Sequence, residues 1–338
     1  MRIGYNPHKD KPQDKSEYTH QVIIPVYIPN FDGYFKDSFE IVQQCLNSLF
    51  FTSHNKTFFT VVNNGSCKEI ADYLNQLFEQ QKIHEVIHTE NIGKLNSVMK
   101  GLVGNNIRLV TISDSDVLFL ENWQVETITV FNAFPKAGVV GIVPQFRSFS
   151  QFCGNIIFEN LFSKKLFFTK VMNPVALQNF YKSIGWDDDY NKAYLKWNLT
   201  IENNSNKAIV GSGHFVATYR KEIFDEVVAY HRYKMGANSE HYLDEIPLKK
   251  GMWRLTTLDN YAYHMGNILE NWMKEETEKL KNTQPHNLKL EYNNKTKRIS
   301  KLEFYIKNKL FINLFKKRSL RNVFYKYKGL PKEEITKY

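Results

Sequence analysis

Residues 108–116 have the sequence Arg-Leu-Val-Thr-Ile-Ser-Asp-Ser-Asp. The run 108–112 is largely apolar and β-branched, which predicts a short buried strand. This strand would end at two carboxylates, Asp114 and Asp116, which repel each other unless a cation lies between them. Oxygen ligands of this kind suit Mg²⁺ or Mn²⁺ bound together with the phosphates of a substrate. A polar turn with no ligand is the alternative for so short a pattern.

The chain before this strand alternates between short apolar runs and stretches with apolar residues at helical spacing. The predicted strands lie at 22–27, 58–62 and 85–88, and the predicted helices lie between them and before residue 108, at 39–51, 67–78 and 95–102. At the start of the second helix, Ser66 and Glu69 match a capping box. This alternation predicts a Rossmann-like α/β fold with a mostly parallel central sheet flanked by helices.

Parallel sheets of this class bind ligands at the carboxyl ends of their strands. All four predicted ends carry polar or turn-forming residues: Pro25-Val26-Tyr27, Asn63-Asn64, Asn91-Ile92-Gly93-Lys94 and Asp114-Ser115-Asp116. We expect these four ends to converge on one crevice. Four such ends favour a ligand site more strongly than an isolated Asp-x-Asp turn does.

Three later segments add candidate binding or catalytic groups. The two glycines of Gly211-Ser212-Gly213 would let the backbone approach a ligand closely. The acids Asp244 and Glu245 lie at a predicted helix start, because Pro247 favours a first turn. Tyr263-His264 supplies an imidazole, although a single histidine is more often a packed or surface residue.

The region 145–207 is less regular, and we expect it to select the acceptor. It contains the segment 186–190, Trp-Asp-Asp-Asp-Tyr, in which an acid triplet lies between aromatic residues. This segment could form part of an acceptor pocket. A solvated loop is the commoner role of such an acidic run.

Taken in order, these segments resemble the family-2 glycosyltransferases, which have the GT-A fold. The resemblance spans residues 20–267 and depends on the segments 24–27, 62–66, 90–94, 114–116, 211–213, 244–245 and 263–264. It implies metal-dependent, inverting transfer of a sugar from a nucleotide-diphosphate sugar, more often a UDP- or GDP-sugar, to an acceptor hydroxyl. The acceptor implied is a glycan or a lipid-linked molecule, in surface polysaccharide or glycolipid assembly.

The resemblance also implies roles for individual residues. Those expected at the nucleotide sugar are Pro25, Val26, Tyr27, Asn63, Asn64, Asn91, Gly93, Lys94, Asp114, Ser115, Gly211, Ser212 and Gly213. Asp116 would hold the metal, Mn²⁺ or Mg²⁺, with Asp114 and His264 as further ligands. Asp244, with Glu245 close behind it, would be the catalytic base. The family commonly has Glu-Asp at this pair, so the sequence leaves open which of the two acids is the base.

The chemistry of sugar transfer needs these residue types independently of the resemblance. A leaving nucleotide diphosphate develops negative charge, which a divalent cation offsets as a Lewis acid. The attacking hydroxyl needs a carboxylate within hydrogen-bond reach to accept its proton. A single displacement inverts the anomeric carbon, so one carboxylate base is enough, unlike the two carboxylates of glycosidases.

The net charge of +10 is concentrated near the end of the chain. Residues 289–338 contain 15 Lys or Arg and 4 Asp or Glu, a net charge of +11, so the remainder of the chain is close to neutral. Apolar residues recur there at helical spacing among the basic residues, at Ile299, Leu302, Ile306, Leu310, Leu314 and Phe315. This pattern suits a basic amphipathic helix on an anionic membrane surface. A helix packed on the catalytic domain, or a subunit contact, fits it equally well.

We therefore divide the chain into a polar lead-in (1–18), a GT-A catalytic domain (19–267) and a basic helical extension (268–338). Three cysteines, with no signal-peptide pattern and no run of 18 apolar residues, favour a cytoplasmic protein, peripheral on the inner face of the membrane if the extension binds lipid. No nucleic-acid motif accompanies the basic charge. The alternatives are a sugar-phosphate nucleotidyltransferase and an inactive GT-A scaffold subunit.

Overall fold

The computed structural model describes residues 4–6, 8–11, 16–186, 189–225, 230–234, 241–286, 288–291 and 298–338. The strands of this part of the chain are β1 (His20–Val26), β2 (Thr57–Asn64), β3 (Glu85–Thr89), β4 (Leu109–Ser113), β5 (Val117–Phe119), β6 (Ala137–Gly141), β7 (Leu166–Lys170), β8 (Trp197–Asn203), β9 (Asn206–Val210), β10 (Val216–Arg220), β11 (Trp253–Thr256) and β12 (Ala262–His264).

The helices follow the same numbering along the chain. They are α1 (Ser38–Thr52), α2 (Lys68–Glu79), α3 (Lys94–Leu102), α4 (Trp123–Ala133), α5 (Gly154–Glu159), α6 (Pro174–Ser183), α7 (His241–Lys249), α8 (Asn271–Leu280), α9 (Lys301–Tyr305), α10 (Phe311–Phe315), α11 (Arg318–Tyr327) and α12 (Lys332–Ile335). A π-helical segment, Ile306–Leu310, joins α9 to α10. Short 3₁₀ helices lie at Gly33–Phe35, Ser148–Ser150, Lys192–Leu195 and Lys221–Phe224.

In the described residues, ten strands form one sheet in the order β3-β2-β1-β4-β10-β6-β11-β9-β8-β7. The first four are parallel to one another, and β10 enters between β4 and β6 in the opposite direction. Seven strands run one way, whereas β7, β9 and β10 run the other way. The predicted α/β fold with a mostly parallel central sheet is confirmed. The antiparallel edge, β9-β8-β7, was not predicted.

The sheet is mixed because its two halves are built differently. The strands β1 and β4 are rich in Val and Ile and buried along their length, as expected of parallel strands covered by helices on both faces. By contrast, β8 and β9 are joined by a two-residue turn, which only antiparallel neighbours permit. The carboxyl ends of β1, β2, β3 and β4 consequently lie at one edge of the sheet.

The predicted cap of α2 was wrong. The helix begins at Lys68 with Cys67 as its N-cap. The Ser66 hydroxyl instead accepts the backbone N–H of Ile28 at 3.0 Å and donates to the carbonyl of Val26 at 3.2 Å. Ser66 therefore joins the loops after β1 and β2.

The C-terminal helices pack on the rest of the protein. In α8, Met273 and Leu280 are buried in the same hydrophobic cluster as β1 and α1. In α11, Phe324 and Tyr325 are buried in a second cluster, with β7 and β8. The backbone N–H of Phe168 in β7 donates to the carbonyl of Lys328 at 2.8 Å. One side of the extension thus packs on the sheet, and its boundary at residue 268 stays a prediction.

No helix among the described residues is both long and apolar enough to cross a bilayer.

Candidate active site

The loops that follow β2 and β3 pack tightly against each other. Gly65 has φ +84°, and a Cβ added there would lie 2.7 Å from the backbone nitrogen of Asn91, so only glycine fits. The side-chain oxygen of Asn64 accepts the backbone N–H of Ile92 at 2.9 Å. These contacts bring two of the predicted strand ends together.

The side chains of Asn63 and Asn64 are buried and bonded within the protein. The Asn63 oxygen accepts the N–H of Ser66 at 2.9 Å, and its nitrogen lies 2.9 Å from Nδ1 of His88. Asn91 is used in the same way, since its oxygen accepts the N–H of Gly93 at 3.2 Å. These amides shape the loops, and their contact with a nucleotide base stays a prediction.

At the end of β1, only Tyr27 is open to solvent. Pro25 and Val26 are buried within the sheet, where they pair with β2. The Tyr27 ring is exposed and meets the ring of Phe35 edge to face, with centroids 5.8 Å apart. Of the three predicted β1 residues, Tyr27 is thus the one that can stack against a ligand.

Lys94 and Asp114 form an ion pair at the centre of this edge. Lys94 opens α3, and its ammonium lies 2.7 Å from Oδ1 of Asp114. The N–H of Asp114 donates to the carbonyl of Phe215 at 2.8 Å, just before β10 begins. The backbone N–H of Lys94 donates to Lys234 at 2.9 Å, so the segment 230–234 covers the start of α3.

Asp116 and His264 are brought together by a small antiparallel ribbon of β5 and β12. Val117 pairs with His264 in that ribbon, and the N–H of Met265 donates to the carbonyl of Asp116 at 2.8 Å. Nε2 of His264 lies 3.4 Å from Oδ2 of Asp116. Two residues 148 positions apart in the sequence therefore share one face of the site.

The hydrogen bonds around His264 favour one tautomer of its neutral ring. The Ser183 hydroxyl donates to the carbonyl of Phe180 at 2.7 Å, so it accepts from Nδ1–H of His264 at 3.0 Å. In the neutral imidazole this leaves a lone pair on Nε2, the atom that faces Asp116. The neutral ring thus presents a lone pair to Oδ2 of Asp116 across 3.4 Å, whereas the protonated ring would present an N–H.

Asp116 is held in surroundings that favour a nearby positive charge. Burial raises the pKa of its carboxyl, the imidazole of His264 lowers it, and the carboxylate of Asp114 raises it. Within the described chain, its buried Oδ1 has no hydrogen-bond partner. A divalent cation would satisfy this oxygen and the Nε2 lone pair together, so Asp116 and His264 fit the metal that the sequence predicts.

The three-ligand set is not assembled, because Asp114 is paired with Lys94 instead. No group of three His, Cys, Asp or Glu side chains close enough to hold a metal occurs in the described ranges. Two protein ligands, the phosphates of a nucleotide and water would still fill the coordination shell of Mg²⁺ or Mn²⁺. The role of Ser115, which is half-buried between the two acids, stays a prediction.

The glycines at 211 and 213 make room for the protein's own chain. Gly211 has φ +101°, and a Cβ there would lie 2.3 Å from the carbonyl oxygen of Ser148. A Cβ on Gly213 would lie 2.4 Å from the side chain of Gln145. The predicted close approach is therefore made to the segment 145–148, and a direct contact of Gly211, Ser212 and Gly213 with the nucleotide sugar stays a prediction.

Asp244 is buried, in the first turn of α7, and both of its oxygens have partners. Oδ1 forms an ion pair with the guanidinium of Arg254, which is itself buried in β11 and also donates to the carbonyl of Ser212. Oδ2 lies 3.3 Å from Nδ1 of His214, a partly exposed residue next to Phe215. This places the Asp244 carboxylate directly behind the Gly211–His214 turn.

Glu245 points away from that turn. Its carboxylate lies 3.2 Å from Nζ of Lys249 and 3.6 Å from Nζ of Lys309 in the C-terminal helices. The sequence left open whether Asp244 or Glu245 is the base. Of the two, Asp244 lies next to the Gly211–His214 turn, and Phe215, which follows this turn, bonds Asp114.

Three residues at the site were missed from the sequence. Arg254 is the one charged residue of a largely buried four-residue strand, and this anomaly is a signal that could have identified it. His214 lies beside the glycines that had been selected. Tyr34 gave no signal, yet partial burial, and then the charges of Asp116 and Asp114, raise the pKa of its phenol.

An aromatic cluster lies beside the metal-ligand candidates. Phe146 stacks on Tyr181 with ring centroids 3.4 Å apart, and Tyr181 and Trp186 are 5.1 Å apart. The Trp186 side chain is largely exposed, three residues beyond the Ser183 that bonds His264. Of the predicted acid triplet, Asp187 and Asp188 lie outside the described residues.

Two surface cavities, of about 440 and 250 Å³, share none of these residues. They lie beside α4 and the turn between β8 and β9. The candidate site is instead the open edge formed by the strand ends.

Residues 22–228 match the sequence model of the family described as "Glycosyl transferase family 2". The match covers more than half of the chain, so the chain belongs to this family. The resemblance to this family that the motifs indicated is confirmed. No curated protein is similar enough to count as a match.

Three solved structures with a similar fold are distant from this chain in sequence. A mannosyltransferase, PcManGT from Pyrobaculum calidifontis in complex with GDP-Man and Mn²⁺, is 15% identical with a TM-score of 0.43, covering 76% of this chain and 61% of its own. S. aureus TarS 1-349 is 13% identical with a TM-score of 0.44, covering 73% and 60%. GalNAc-T7 with UDP, GalNAc and Mn²⁺ is 10% identical with a TM-score of 0.47, covering 75% and 45%. The chain thus spans about three fifths of the first two, and likenesses this distant carry no conclusion about donor, metal or acceptor.

Proposed function

We propose that this protein transfers a sugar from a nucleotide-diphosphate sugar to an acceptor hydroxyl, with inversion at the anomeric carbon. The observation that carries the proposal is the pairing of Asp116 with His264 beside the Lys94–Asp114 ion pair, at the carboxyl ends of parallel strands. This edge is where α/β sheets bind nucleotides. Membership of the glycosyltransferase family supports the same chemistry.

Asp116 and His264 would hold the divalent metal, Mn²⁺ or Mg²⁺, through one carboxylate oxygen and Nε2. When bound there, the metal would offset the negative charge that develops on the leaving diphosphate. Lys94 contributes a positive charge at the same edge. Its position is set by Asp114, whose Oδ1 lies 2.7 Å from the Lys94 ammonium. Tyr27 is the exposed ring at the end of β1 and would stack on the base or ribose.

Asp244 would accept the proton of the attacking hydroxyl. Arg254 offsets its charge in buried surroundings, and His214 contacts the oxygen that faces the turn. Only about one twentieth of the Asp244 side chain is exposed, compared with about one third of that of His214. The acceptor hydroxyl therefore has to approach past His214, which makes His214 a positioning residue for this step.

A finer proposal concerns donor, acceptor and location. We propose a UDP- or GDP-sugar as the donor, and a glycan or lipid-linked glycan of a surface polysaccharide or glycolipid as the acceptor. The net charge of +11 over residues 289–338 supports a position on the inner face of the cytoplasmic membrane, where anionic lipids would attract it.

The test is nucleotide binding by calorimetry and thermal shift, using UDP, GDP and CMP, each with and without Mn²⁺. The wild type is compared with Asp116→Ala, and with Asp72→Ala as a matched control, because Asp72 is an exposed acid on α2. We expect Mn²⁺ to tighten the binding of one nucleotide, and this tightening to be lost only in Asp116→Ala. Binding of no nucleotide would contradict the proposal and favour a scaffold subunit.

A second measurement separates this reaction from nucleotidyl transfer. The wild type is incubated with the nucleotide sugar that binds and a set of glycan acceptors, and the anomeric configuration of the product is determined by NMR. We expect inversion and release of a nucleoside diphosphate. Release of pyrophosphate from a nucleoside triphosphate and a sugar phosphate would instead identify a nucleotidyltransferase.

A further inference from the structure

The continuous helix formed by residues 301–315 has one face that is held firmly by the catalytic domain. Nζ of Lys307 lies 2.7 Å from Oε1 of Glu159 at the end of α5. The Asn308 side chain donates to that of Asn155 at 2.8 Å. A Cβ on Gly154 would lie 2.4 Å from the carbonyl oxygen of Lys307, so the helix backbone rests directly on the start of α5. These contacts fix which side of the helix faces outward.

The outward side is apolar. Five apolar side chains at spacings of three and four residues are each more than a third exposed, and we call them the outer stripe: Leu302, Tyr305, Ile306, Leu310 and Leu314. Leu302 is 68% exposed, whereas apolar residues at this spacing normally face a core. A contiguous row of exposed apolar residues is typical of a surface that binds another molecule or a membrane.

The next helix repeats the pattern. In α11, Leu320, Val323 and Tyr327 are exposed, while Phe324 and Tyr325 on the other side are buried. The two helices meet where the rings of Phe315 and Phe324 lie 4.8 Å apart. The turn between them consists of two exposed lysines, Lys316 and Lys317, and the exposed Arg318 begins α11.

Positive charge surrounds these apolar residues. Between residues 298 and 328 there are ten Lys or Arg and one acid, Glu303. Glu303 is paired with Lys307 on the inner side of the helix, at 2.6 Å. Lys301, Lys309, Lys316 and Lys317 are exposed. The surface therefore combines an apolar stripe with a strongly positive border.

We infer that the outer stripe is the surface by which this protein docks on an anionic phospholipid bilayer. Apolar side chains of such a helix enter the boundary between headgroups and acyl chains, while lysines reach the lipid phosphates. A second copy of this chain would bring two positive surfaces together. A nucleic acid would leave the apolar side chains in water, because its phosphates bind the charges alone.

Docking by this face would also orient the active site. Lys309, which lies among the apolar residues of the outer stripe, is 3.6 Å from Glu245 in α7, and Asp244 is the next residue along that helix. The surface that touches lipid is thus joined to the helix that carries the proposed base. This inference extends the proposed membrane location and would present the site to lipid-linked acceptors.

The experiment is co-sedimentation of the full chain with vesicles, without nucleotide sugar or metal, so that its outcome is independent of catalysis. The vesicles are either equimolar phosphatidylcholine and phosphatidylglycerol or phosphatidylcholine alone. The test variant carries Leu302→Ser, Leu310→Ser and Leu314→Ser. The matched control carries Phe78→Ser and Val103→Ser, which remove two apolar residues of similar exposure, 49% and 68%, far from the extension in sequence.

We expect the wild type to bind the phosphatidylglycerol vesicles much more strongly than phosphatidylcholine alone. The triple variant should bind them about a hundredfold more weakly, and the control should bind like the wild type. Nucleotide binding should be unchanged in all of them. Equal binding by the triple variant and the wild type would overturn the inference, as would a wild type that binds no vesicle.

Charge provides a second comparison, which remains informative if the triple variant fails to fold. Lys316→Gln with Lys317→Gln should weaken binding about thirtyfold, whereas Lys56→Gln with Lys82→Gln, two exposed lysines outside the extension, should not. Equal effects of the two pairs would overturn the inference. So would a wild-type dimer that the triple variant converts to a monomer without any vesicle binding, because the outer stripe would then be a self-association surface.

Discussion

Replacing Arg254 with Met should destabilise the protein strongly, because it would leave the Asp244 carboxylate buried without its cation. Both side chains are about 5% exposed or less, and the guanidinium also serves the carbonyl of Ser212. Removing one partner of a buried ion pair costs about 3–5 kcal/mol. In a chain of this length, with about 2 cal/mol/K of unfolding entropy per residue, that corresponds to a fall of about 4–7 °C in Tm.

The double variant Asp244→Leu with Arg254→Met tests the physical cause. Replacing both charged groups with apolar ones removes the uncompensated charge, so the double variant should regain most of the lost stability. The assay is urea unfolding followed by circular dichroism on the wild type, both single variants and the double variant, analysed as a double-mutant cycle. A loss below about 1 kcal/mol in Arg254→Met, or strictly additive losses, would show that the pair is not a coupled buried ion pair.

Three further predictions concern the acids, the aromatic cluster and pH. Asp244→Asn should reduce kcat by about 10²–10⁴ with nucleotide affinity retained, while Glu245→Gln stays near wild type in steady-state assays; the reverse order would make Glu245 the base. Trp186→Ala should raise the KM for the acceptor, while calorimetry should show unchanged donor binding. The control Phe78→Ala should leave both the KM and donor binding unchanged. Burial lowers the pKa of His54 to about 4, so stability should fall by about 3 kcal/mol as pH drops from 6.5 towards 4. His54→Gln should flatten that dependence in urea titrations, and an unchanged slope would contradict its cause.

The strand ends could be predicted because the parallel half of the sheet is encoded locally. Short apolar runs followed by polar turns identify the carboxyl ends of β1, β2 and β4 without any knowledge of tertiary contacts. The pairing of Asp116 with His264 was anticipated only through the resemblance to a family. The β5–β12 ribbon that joins them links residues far apart in the sequence, and no local pattern reports such a pairing.

What escaped prediction depends on tertiary contacts. The cap assigned to Ser66 was wrong because its hydroxyl forms longer-range bonds, to the end of β1, that the four-residue motif does not contain. Arg254 lies ten residues beyond Asp244, and only the turn from α7 into β11 brings their charges together. The spacing of the C-terminal apolar residues predicted a helix with two faces, but the structure was needed to show that Lys307 and Asn308 face inward and the outer stripe outward.

The three carboxylates of the site differ in whether a lysine or arginine side chain is paired with them. Asp114 is paired with Lys94, and Asp244 with Arg254, so a cation covalently fixed to the chain offsets each of them. Asp116 instead faces Nε2 of His264 at 3.4 Å, and among the described residues its Oδ1 has no hydrogen-bond partner. Uncompensated buried charge is costly, and a protein retains it where an exchangeable cation supplies the compensation. The pairing with basic side chains thus distinguishes Asp116, which suits a metal, from Asp114, which suits positioning, and from Asp244, which suits proton transfer.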